Sequence, residues 1–527
     1  MLSIAKKNCG SVSPGSFSEP QLKVCGYTPP AYLSYRNRAG DGTPRPPSAK
    51  RNEGGLKPMN QGPSHNGTTG ELEQTSEWPR AGSKVTVVGA GYVGLVTSAC
   101  LCELGHQVVC VDKHPTRLST LVHGQVPFFE PGLDELVARF WRGGRLSFTS
   151  DYGRALEGSD VVMIAVNTPA CENGEAETAH VFGATKEILQ HAEPGLVIAV
   201  KSTVPVGTGD LLAELAKHSA VPGVEIVSNP EFLRQGSAVN DFMKPDRIVV
   251  GGSKRAAMDV VAGLYASLPG TMIFCTRRSA ELAKHAANAF LATRISLMNE
   301  LAAICDAAQA DVTEVSQIVG ADHRIGPYYL QAGLGWGGSC LPKDVMALAA
   351  SASSFGCSAL ILDAVSQVNS RQPDLAIEGL RRAADLQAGS TIGVLGLSFK
   401  PDTDDIRGAP ALQIIRRLLE CGHTIRAHDP QAIEPVRALL PEVGYCLDPY
   451  HLAEGCDALF LVTEWREYLA LDWTRMLARM RGETILDGRN ALDGDILTRT
   501  GFTYLSLGRR GRFGSEYQSL VESEAVA

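Results

Sequence analysis

The chain carries 13 cysteines and 12 histidines, yet it has no Cys-x-x-Cys pair, no His-x-x-x-His and no compact cysteine/histidine set. Spacing therefore indicates neither a metal site nor a disulfide framework. No apolar run is long enough to span a bilayer, and no secretory apolar core follows the N-terminus. A membrane role is excluded on this reading, and reduced thiols in the cytoplasm are expected. Positive charge is not in excess: 49 Lys and Arg against 57 Asp and Glu leave a net −8. That balance argues against a nucleic-acid binder and leaves any anionic ligand to local groups. What is present, 527 residues of which 44% are hydrophobic and 20% charged, is ordinary globular composition with room for about three domains.

Apolar periodicity is missing from residues 1 to 80, where Pro, Gly, Ser, Asn and Lys/Arg prevail, as in Asp41-Gly42-Thr43-Pro44. A disordered tail is expected there, with a polar tail at 509 to 527. At Lys84 the character changes. Val85-Thr86-Val87-Val88 is a β-branched run, Gly89-Ala90-Gly91-Tyr92-Val93-Gly94 turns it, and an Ala/Leu-rich helical stretch continues to Leu104. Gln107-Val108-Val109-Cys110-Val111 then reads as a second strand ending in Asp112, about 20 residues beyond the glycines. Strand, glycine turn, helix and acidic strand end together make a dinucleotide site: the glycines admit a pyrophosphate to the helix N-terminus, and the carboxylate accepts ribose hydroxyls. A 2′-phosphate would be repelled by Asp112, so NAD is expected rather than NADP.

Apolar runs at 160–166 and 196–200 alternate with helical stretches such as His180 to Leu189, the pattern of buried parallel strands. They end in Asn167-Thr168-Pro169 and Lys201-Ser202-Thr203, and Val224-Glu225-Ile226-Val227 leads likewise into Asn229-Pro230-Glu231-Phe232-Leu233-Arg234-Gln235. Open α/β sheets bind ligands at such strand ends. This first domain is taken as 81–277. From Ser279 to about Asp306 the chain is Ala-rich and free of Gly and Pro, hence a long helix on which Lys284 and Asn288 share a face and could donate to one oxygen. A further helix over Ala359 to Val368 should break near Gln372-Pro373, closing a middle region of 278–375. A second α/β pattern over 385–508 repeats the first without a G-x-G-x-x-G, so its ligand should differ from a dinucleotide.

Between the halves lies Gly333-Leu334-Gly335-Trp336-Gly337-Gly338-Ser339-Cys340-Leu341-Pro342-Lys343-Asp344. Glycines let such a loop lie directly against a ligand. Cys340, just ahead of a helix start and near Lys343, is expected in a positive field that favours thiolate.

Taken together, Gly89-Ala90-Gly91-Tyr92-Val93-Gly94, Asn229-Pro230-Glu231-Phe232-Leu233, Lys284 with Asn288, Gly337-Gly338-Ser339-Cys340, Lys343-Asp344 and Ser398-Phe399-Lys400-Pro401-Asp402-Thr403 resemble the UDP-glucose/GDP-mannose dehydrogenase family, from about Lys84 to Gly508. The resemblance implies an α/β fold of two Rossmann-like domains joined by a long central helical segment. NAD would lie in the first domain and the sugar nucleotide in the second. It implies Cys340 as nucleophile, with Lys284, Asn288 and Asp344 holding the reacting oxygen and a water, Thr203 assisting, and Glu231 as acid/base. Cofactor contacts are implied at Gly89, Gly91, Tyr92, Val93 and Gly94, at Asp112, Arg117, Thr168 and Thr203, and at Gln235, Lys343 and Arg407. Substrate contacts are implied at Glu231, Phe232, Leu233, Lys284 and Asn288, at Arg324, Tyr329, Gln331, Gly335 and Gly337, and at Lys400 and Arg489. Family members often carry Glu where this chain has Gln235, which cannot take a proton. The NPEFL and SFKPDT contexts favour UDP-glucose over GDP-mannose or another nucleotide sugar, and a homo-oligomer built from dimers is implied. An inactive nucleotide-sugar sensor is the alternative of another class; intact Cys340, Lys284 and Asp344 speak against it.

Overall fold

The computed structural model describes residues 82–171 and 174–509, so the tails expected at 1–80 and 509–527 lie outside the described residues, Arg509 excepted. The first sheet holds β1 (Lys84–Val88), β2 (Gln107–Val111), β3 (Leu146–Thr149), β4 (Val161–Ile164), β5 (Val197–Val200), β6 (Glu225–Ser228), β7 (Arg247–Gly251) and β8 (Thr271–Cys275). Their order is β3-β2-β1-β4-β5-β6-β7-β8, the doubly wound 3-2-1-4-5-6 arrangement extended by two strands. Neighbours run parallel except β6 and β7, which meet antiparallel at Ser228 and Gly251. Every residue of β4 and β5 is buried, which is why these strands read as continuous apolar runs rather than alternations.

A second sheet repeats the winding: β9 (Thr391–Leu395), β10 (Thr424–His428), β11 (Gly444–Tyr445), β12 (Ala458–Leu461), β13 (Thr484–Asp487) and β14 (Thr503–Ser506) lie in the order β11-β10-β9-β12-β13-β14, all parallel. The expected fold, two Rossmann-like units joined by a long helix, is the fold observed.

That helix spans Arg277–Ala308 and starts at Thr276, whose hydroxyl accepts from the Ser279 amide. One face buries Lys284, His285, Ala289, Ala292, Ser296 and Asn299. Leu282, Phe290, Leu297 and Ile304 form an exposed stripe at near-heptad spacing on another face, 45 to 67% accessible.

Two sequence expectations need correction. The helix expected to break at Gln372-Pro373 instead runs Leu360–Ala383 through a buried Pro373. Proline removes the amide that would bond the Asn369 carbonyl, but packing on both sides holds the helix together. Strands β3, β7, β8, β11 and β14 were not anticipated. Arg247-Ile248-Val249-Val250-Gly251 carried a usable apolar signal, whereas Thr271–Cys275 is exposed or half-buried along its length and carries little.

Gly396, just past β9, has φ +97°, and a Cβ there would lie 2.4 Å from the Thr463 Cβ. Gly396→Ala is expected to lower the melting temperature by roughly 5 to 10 °C, through overpacking and an unfavourable φ. An unchanged thermal transition would contradict this packing.

Candidate active site

The glycine turn after β1 is built as a ligand cradle. Gly89 has φ +103° and donates its amide to the Val111 carbonyl at 2.7 Å, while a Cβ on it would stand 2.6 Å from the Ala165 carbonyl oxygen. Gly94 packs the helix Tyr92–Glu103 against that turn; its Cβ would fall 1.7 Å from the Gly89 oxygen. Gly91 is different, since a Cβ there would meet only Asn167 Oδ1 at 3.6 Å, leaving its approach open to a ligand. Beside it a pocket of about 330 Å³ opens at the C-terminal ends of β1, β2 and β4, lined among others by Gly91, Asp112, Arg117 and Asn167. Asp112 Oδ2 accepts from the Ala90 amide at 2.7 Å and from Arg117 at 2.9 Å, and Oδ1 accepts from the His114 amide. The carboxylate is thereby fixed at the pocket wall, with the Arg117 guanidinium alongside. Open glycine backbone, a helix N-terminus and a held carboxylate fit a dinucleotide.

The second sheet shows why it does not repeat this site. Asp429 stands at the end of β10 as Asp112 does at the end of β2, but it accepts from Leu397, Ser398, Gln431 and Ala432 amides, the Ser398 hydroxyl and the Trp465 indole. Its lone pairs are spent on the fold, leaving little for a ribose.

Lys284, Glu231, Asn288 and Asp344, to which the resemblance gives the chemistry, meet where the long helix passes the ends of the first sheet. Lys284 Nζ lies 3.0 Å from Glu231 Oε1, with the two side chains 4 and 6% exposed. The Phe232 ring sits beside the same ammonium, 5.4 Å away. One turn along, Asn288 Nδ2 donates to Asp344 Oδ2 at 2.5 Å, and Lys343 Nζ donates to Asp344 Oδ1 at 2.6 Å. Lys284 and Asn288 do share a face, as expected, but here they engage different carboxylates. Burial works to lower the Lys284 ammonium, but Glu231, then Asp344 and Cys340, outweigh it and hold the group above its ordinary value.

Cys340 caps the helix Leu341–Ser354, with Pro342 in the first turn. Its surface is open to the cleft, yet the surrounding protein pushes its thiol up, and Glu231 and Asp344 add to this against the pull of Lys284. Burial first, and then the two carboxylates, thus work against the positive field expected from the helix start and Lys343.

The glycine loop ahead of Cys340 is clamped from three sides. Asn299 Oδ1 accepts from the Gly333 amide, Ser296 Oγ accepts from the Trp336 indole, and Asn369 both accepts from and donates to the Trp336 backbone. Gly337 and Gly338 let the second domain approach: a Cβ on the former would be 2.1 Å from the Gly408 oxygen, and on the latter 2.8 Å from the Phe399 ring. Arg489 donates to the carbonyls of Val462, Gly335 and Phe399, tying β12's end to this loop. Tyr329 holds φ +60°, an uncommon conformation for a non-glycine residue and one met at functional sites. Lys400 is half-buried, and burial lowers its ammonium.

Other expected site residues fall less directly. Thr203 is reached through its carbonyl, which accepts from the Thr168 hydroxyl at 2.8 Å. Gln235 donates to Asp405 Oδ2 at 2.8 Å, and Arg407 is paired with the same carboxylate. Leu233 gives its amide to Glu231. Gln331 is exposed, and Arg324 is exposed and held by Asp322. Sequence reasoning missed Glu130, whose carboxylate takes the Tyr92 hydroxyl and the Gly236 and Ala238 amides, joining the glycine-turn helix to the Gln235 loop. Lys201, named from the sequence as part of a polar strand end, is buried against Asn229 and Tyr265, where burial pushes its ammonium down to about 8. A Glu-Pro-Gly turn and a strand-end lysine were visible in the sequence, but their partners were not.

A glycine-opened helix terminus over the switch point of such a sheet defines a dinucleotide-binding protein. Family models agree: the NAD binding domain of the UDP-glucose/GDP-mannose dehydrogenase family matches residues 83–269, its central domain 278–371, and its UDP binding domain 393–494. The chain is 42% identical over 434 residues to a UDP-glucose 6-dehydrogenase of Rhizobium meliloti, covering 81% of this chain and 99% of that protein. It is 41% identical to UDP-glucose 6-dehydrogenase TuaD of Bacillus subtilis, covering 82 and 95%. A solved UDP-glucose dehydrogenase from Pyrobaculum islandicum superposes with a TM-score of 0.76 at 36% identity, over 82% of this chain and 99% of that one. The chain belongs to the UDP-glucose/GDP-mannose dehydrogenase family and is an NAD-dependent enzyme.

Asp112→Ala is expected to raise the Kd for NAD and to narrow the preference over NADP, because it removes a ribose acceptor and frees the Arg117 guanidinium for a 2′-phosphate. Titration with both cofactors checks this; unaltered affinities would remove Asp112 from the site.

Proposed function

We propose that the protein oxidises UDP-glucose to UDP-glucuronate with two NAD and one water, through a covalent intermediate on Cys340. The observation that carries this reading is a cleft thiol at a helix start, set among Lys284, Glu231, Asn288 and Asp344. A two-electron alcohol dehydrogenase has no need of such a thiol. UDP-glucose is favoured because the relatives of 41 to 42% identity carry that substrate in their names, while a UDP-D-ManNAc dehydrogenase from Pyrococcus horikoshii stands at 25%.

NAD supplies the hydride acceptor when bound, in the cradle of Gly89, Gly91 and Gly94 beside Asp112 and Arg117. Lys400, Arg489 and Tyr329 hold the nucleotide sugar from the second domain and the glycine loop. In the first oxidation the C6 hydroxyl loses a hydride from carbon and a proton from oxygen, the proton passing by way of water to Asp344. The Lys284 ammonium and Asn288 stabilise the oxygen as negative charge grows on it. The Cys340 thiol then adds to the aldehyde: sulfur bonds to carbon, the carbonyl π pair moves to oxygen, and the thiol proton passes by way of Glu231 or water to that oxygen, giving a thiohemiacetal. Loss of a second hydride from its carbon and of the proton from its oxygen gives a thioester. Water, positioned by Asp344 and Thr203, breaks the sulfur–carbon bond, releasing the acid and restoring the thiol.

Each UDP-glucose consumed should yield two NADH with no free aldehyde. Cys340→Ala should make no acid, and Lys284→Ala should slow oxidation by about 100-fold. NADH absorbance with product mass decides the matter: one NADH per sugar, or acid from Cys340→Ala at the normal rate, would overturn the reading.

The exposed stripe of Leu282, Phe290, Leu297 and Ile304 supports assembly through the long helix as a homo-oligomer, at least a dimer, in which Arg324 serves a neighbouring site. Phe290→Glu should shift the molecule toward monomer in light scattering; an unchanged mass would exclude this face. Free thiols at all eleven described cysteines suit a cytoplasmic setting.

A further inference from the structure

His285 follows Lys284 on the long helix and is fully buried. Its Nε2 lies 2.9 Å from the Val204 carbonyl oxygen, which can only accept, so Nε2 carries the hydrogen. Its Nδ1 has no hydrogen-bond partner and lies 3.6 Å from Asp344 Oδ1. In the neutral ring that nitrogen is a bare lone pair facing a carboxylate oxygen. Both atoms accept and neither donates, so they stand beyond hydrogen-bond distance. A single proton between them would turn a repulsion into a charge-assisted hydrogen bond.

We propose that His285 is a positioning residue that receives, through Asp344, the proton released at the reacting oxygen. The proton passes from Asp344 Oδ1 to His285 Nδ1, leaving a carboxylate and an imidazolium; nothing is oxidised or reduced in this transfer. Asp344 is thereby returned to the state in which it can accept again, which the second oxidation and the hydrolysis both require. The inference rests on the role given to Asp344 above.

The surroundings suit an imidazole that is neutral at rest and charged only in passing. Burial pushes it down; Asp344 and the Val204 carbonyl pull it up, and Lys343 and Lys284 oppose them. Lys343 is the other occupant of Asp344 Oδ1, at 2.6 Å, so the carboxylate has a cation on its cleft side and an uncharged base behind it. Across the ring, the loop from Ser202 to Thr208 brings no ionisable side chain. Glu281, one turn earlier on the same helix, is held by the amides of Gly207 and Gly209. Glu281 and His285 together fasten the loop that carries Thr203, so a structural role must be separated from a proton-accepting one.

His285→Gln does this, because its amide can still donate to the Val204 carbonyl but cannot take a proton. The variant should keep the melting temperature and NAD affinity of the wild type, with KM nearly unchanged. Its kcat should fall by about 10-fold or more, and the acid limb of its pH profile should move to lower pH, toward that of a carboxylate alone. His285→Leu, which lacks both functions, should show the same loss of kcat and also a lower melting temperature. Wild-type kcat and pH profile in His285→Gln would overturn the proposal and leave a structural hydrogen bond. Asp344→Asn measured alongside separates the failures: near-normal turnover there would defeat the role of Asp344 itself, whereas a slow Asp344→Asn beside a normal His285→Gln defeats only the inference about His285. Histidine 15N resonances of the wild-type enzyme, compared with the variant for assignment, give a readout that needs no turnover. Protonation of Nδ1 across the pH range of the acid limb is expected, and an imidazole that stays neutral throughout it would contradict the relay.

Discussion

The ion pair between Lys284 and Glu231 is the constraint on which the rest of the site depends. Two unit charges this far from water are costly unless each is met by the other and by further polar groups. Glu231 is also met by the Leu233 amide, and the ammonium by the Phe232 ring. Around this pair the cleft is close to electroneutral: Lys284 and Lys343 against Glu231 and Asp344. At Cys340, burial first and then Glu231 and Asp344 raise the thiol, while Lys284 pulls it the other way.

Placing those groups requires two similar α/β units to close on one loop without intervening side chains. Gly337 and Gly338 lie against Gly408 and Phe399, and Gly335 lies against Asn369, each with no room for a Cβ. The long helix supplies the other wall, giving Ser296 and Asn299 to the loop and setting Lys284 against Glu231 and Asn288 and His285 against Asp344. One helix thus contacts both the thiol loop and the carboxylates of Glu231 and Asp344. Pro373 belongs to the same arrangement: it lies in the helix whose Asn369 clamps Trp336.

Local features of this design were legible in the sequence. The glycine turn, Asp112, the alternation of buried strands and the helix from Ser279 all follow from nearest-neighbour rules, and they appear within a few residues of where those rules put them. Lys284 and Asn288 were correctly set on one face by their spacing. What spacing could not supply was the partner across the cleft, because Glu231 and Asp344 are brought there by tertiary packing. For the same reason the contacts of Glu130, His285 and Asn369 could not be read from the sequence. The positive field expected at Cys340 fell short because a helix start and a neighbouring lysine can be read locally, whereas the burial of the thiol and the approach of Glu231 cannot. The break expected at Pro373 failed likewise: a local rule yielded to a helix held on both sides.

The central claim is that Cys340 becomes covalently bonded to the sugar between the two oxidations. Rapid acid quench of the enzyme turning over UDP-glucose and NAD, followed by peptide mass analysis, tests it most directly. The account predicts that the peptide bearing Cys340 gains the mass of the sugar nucleotide acyl group, labile to hydroxylamine as a thioester is, and that Lys284→Ala accumulates less of it. An unmodified Cys340 throughout turnover that yields the acid would contradict it.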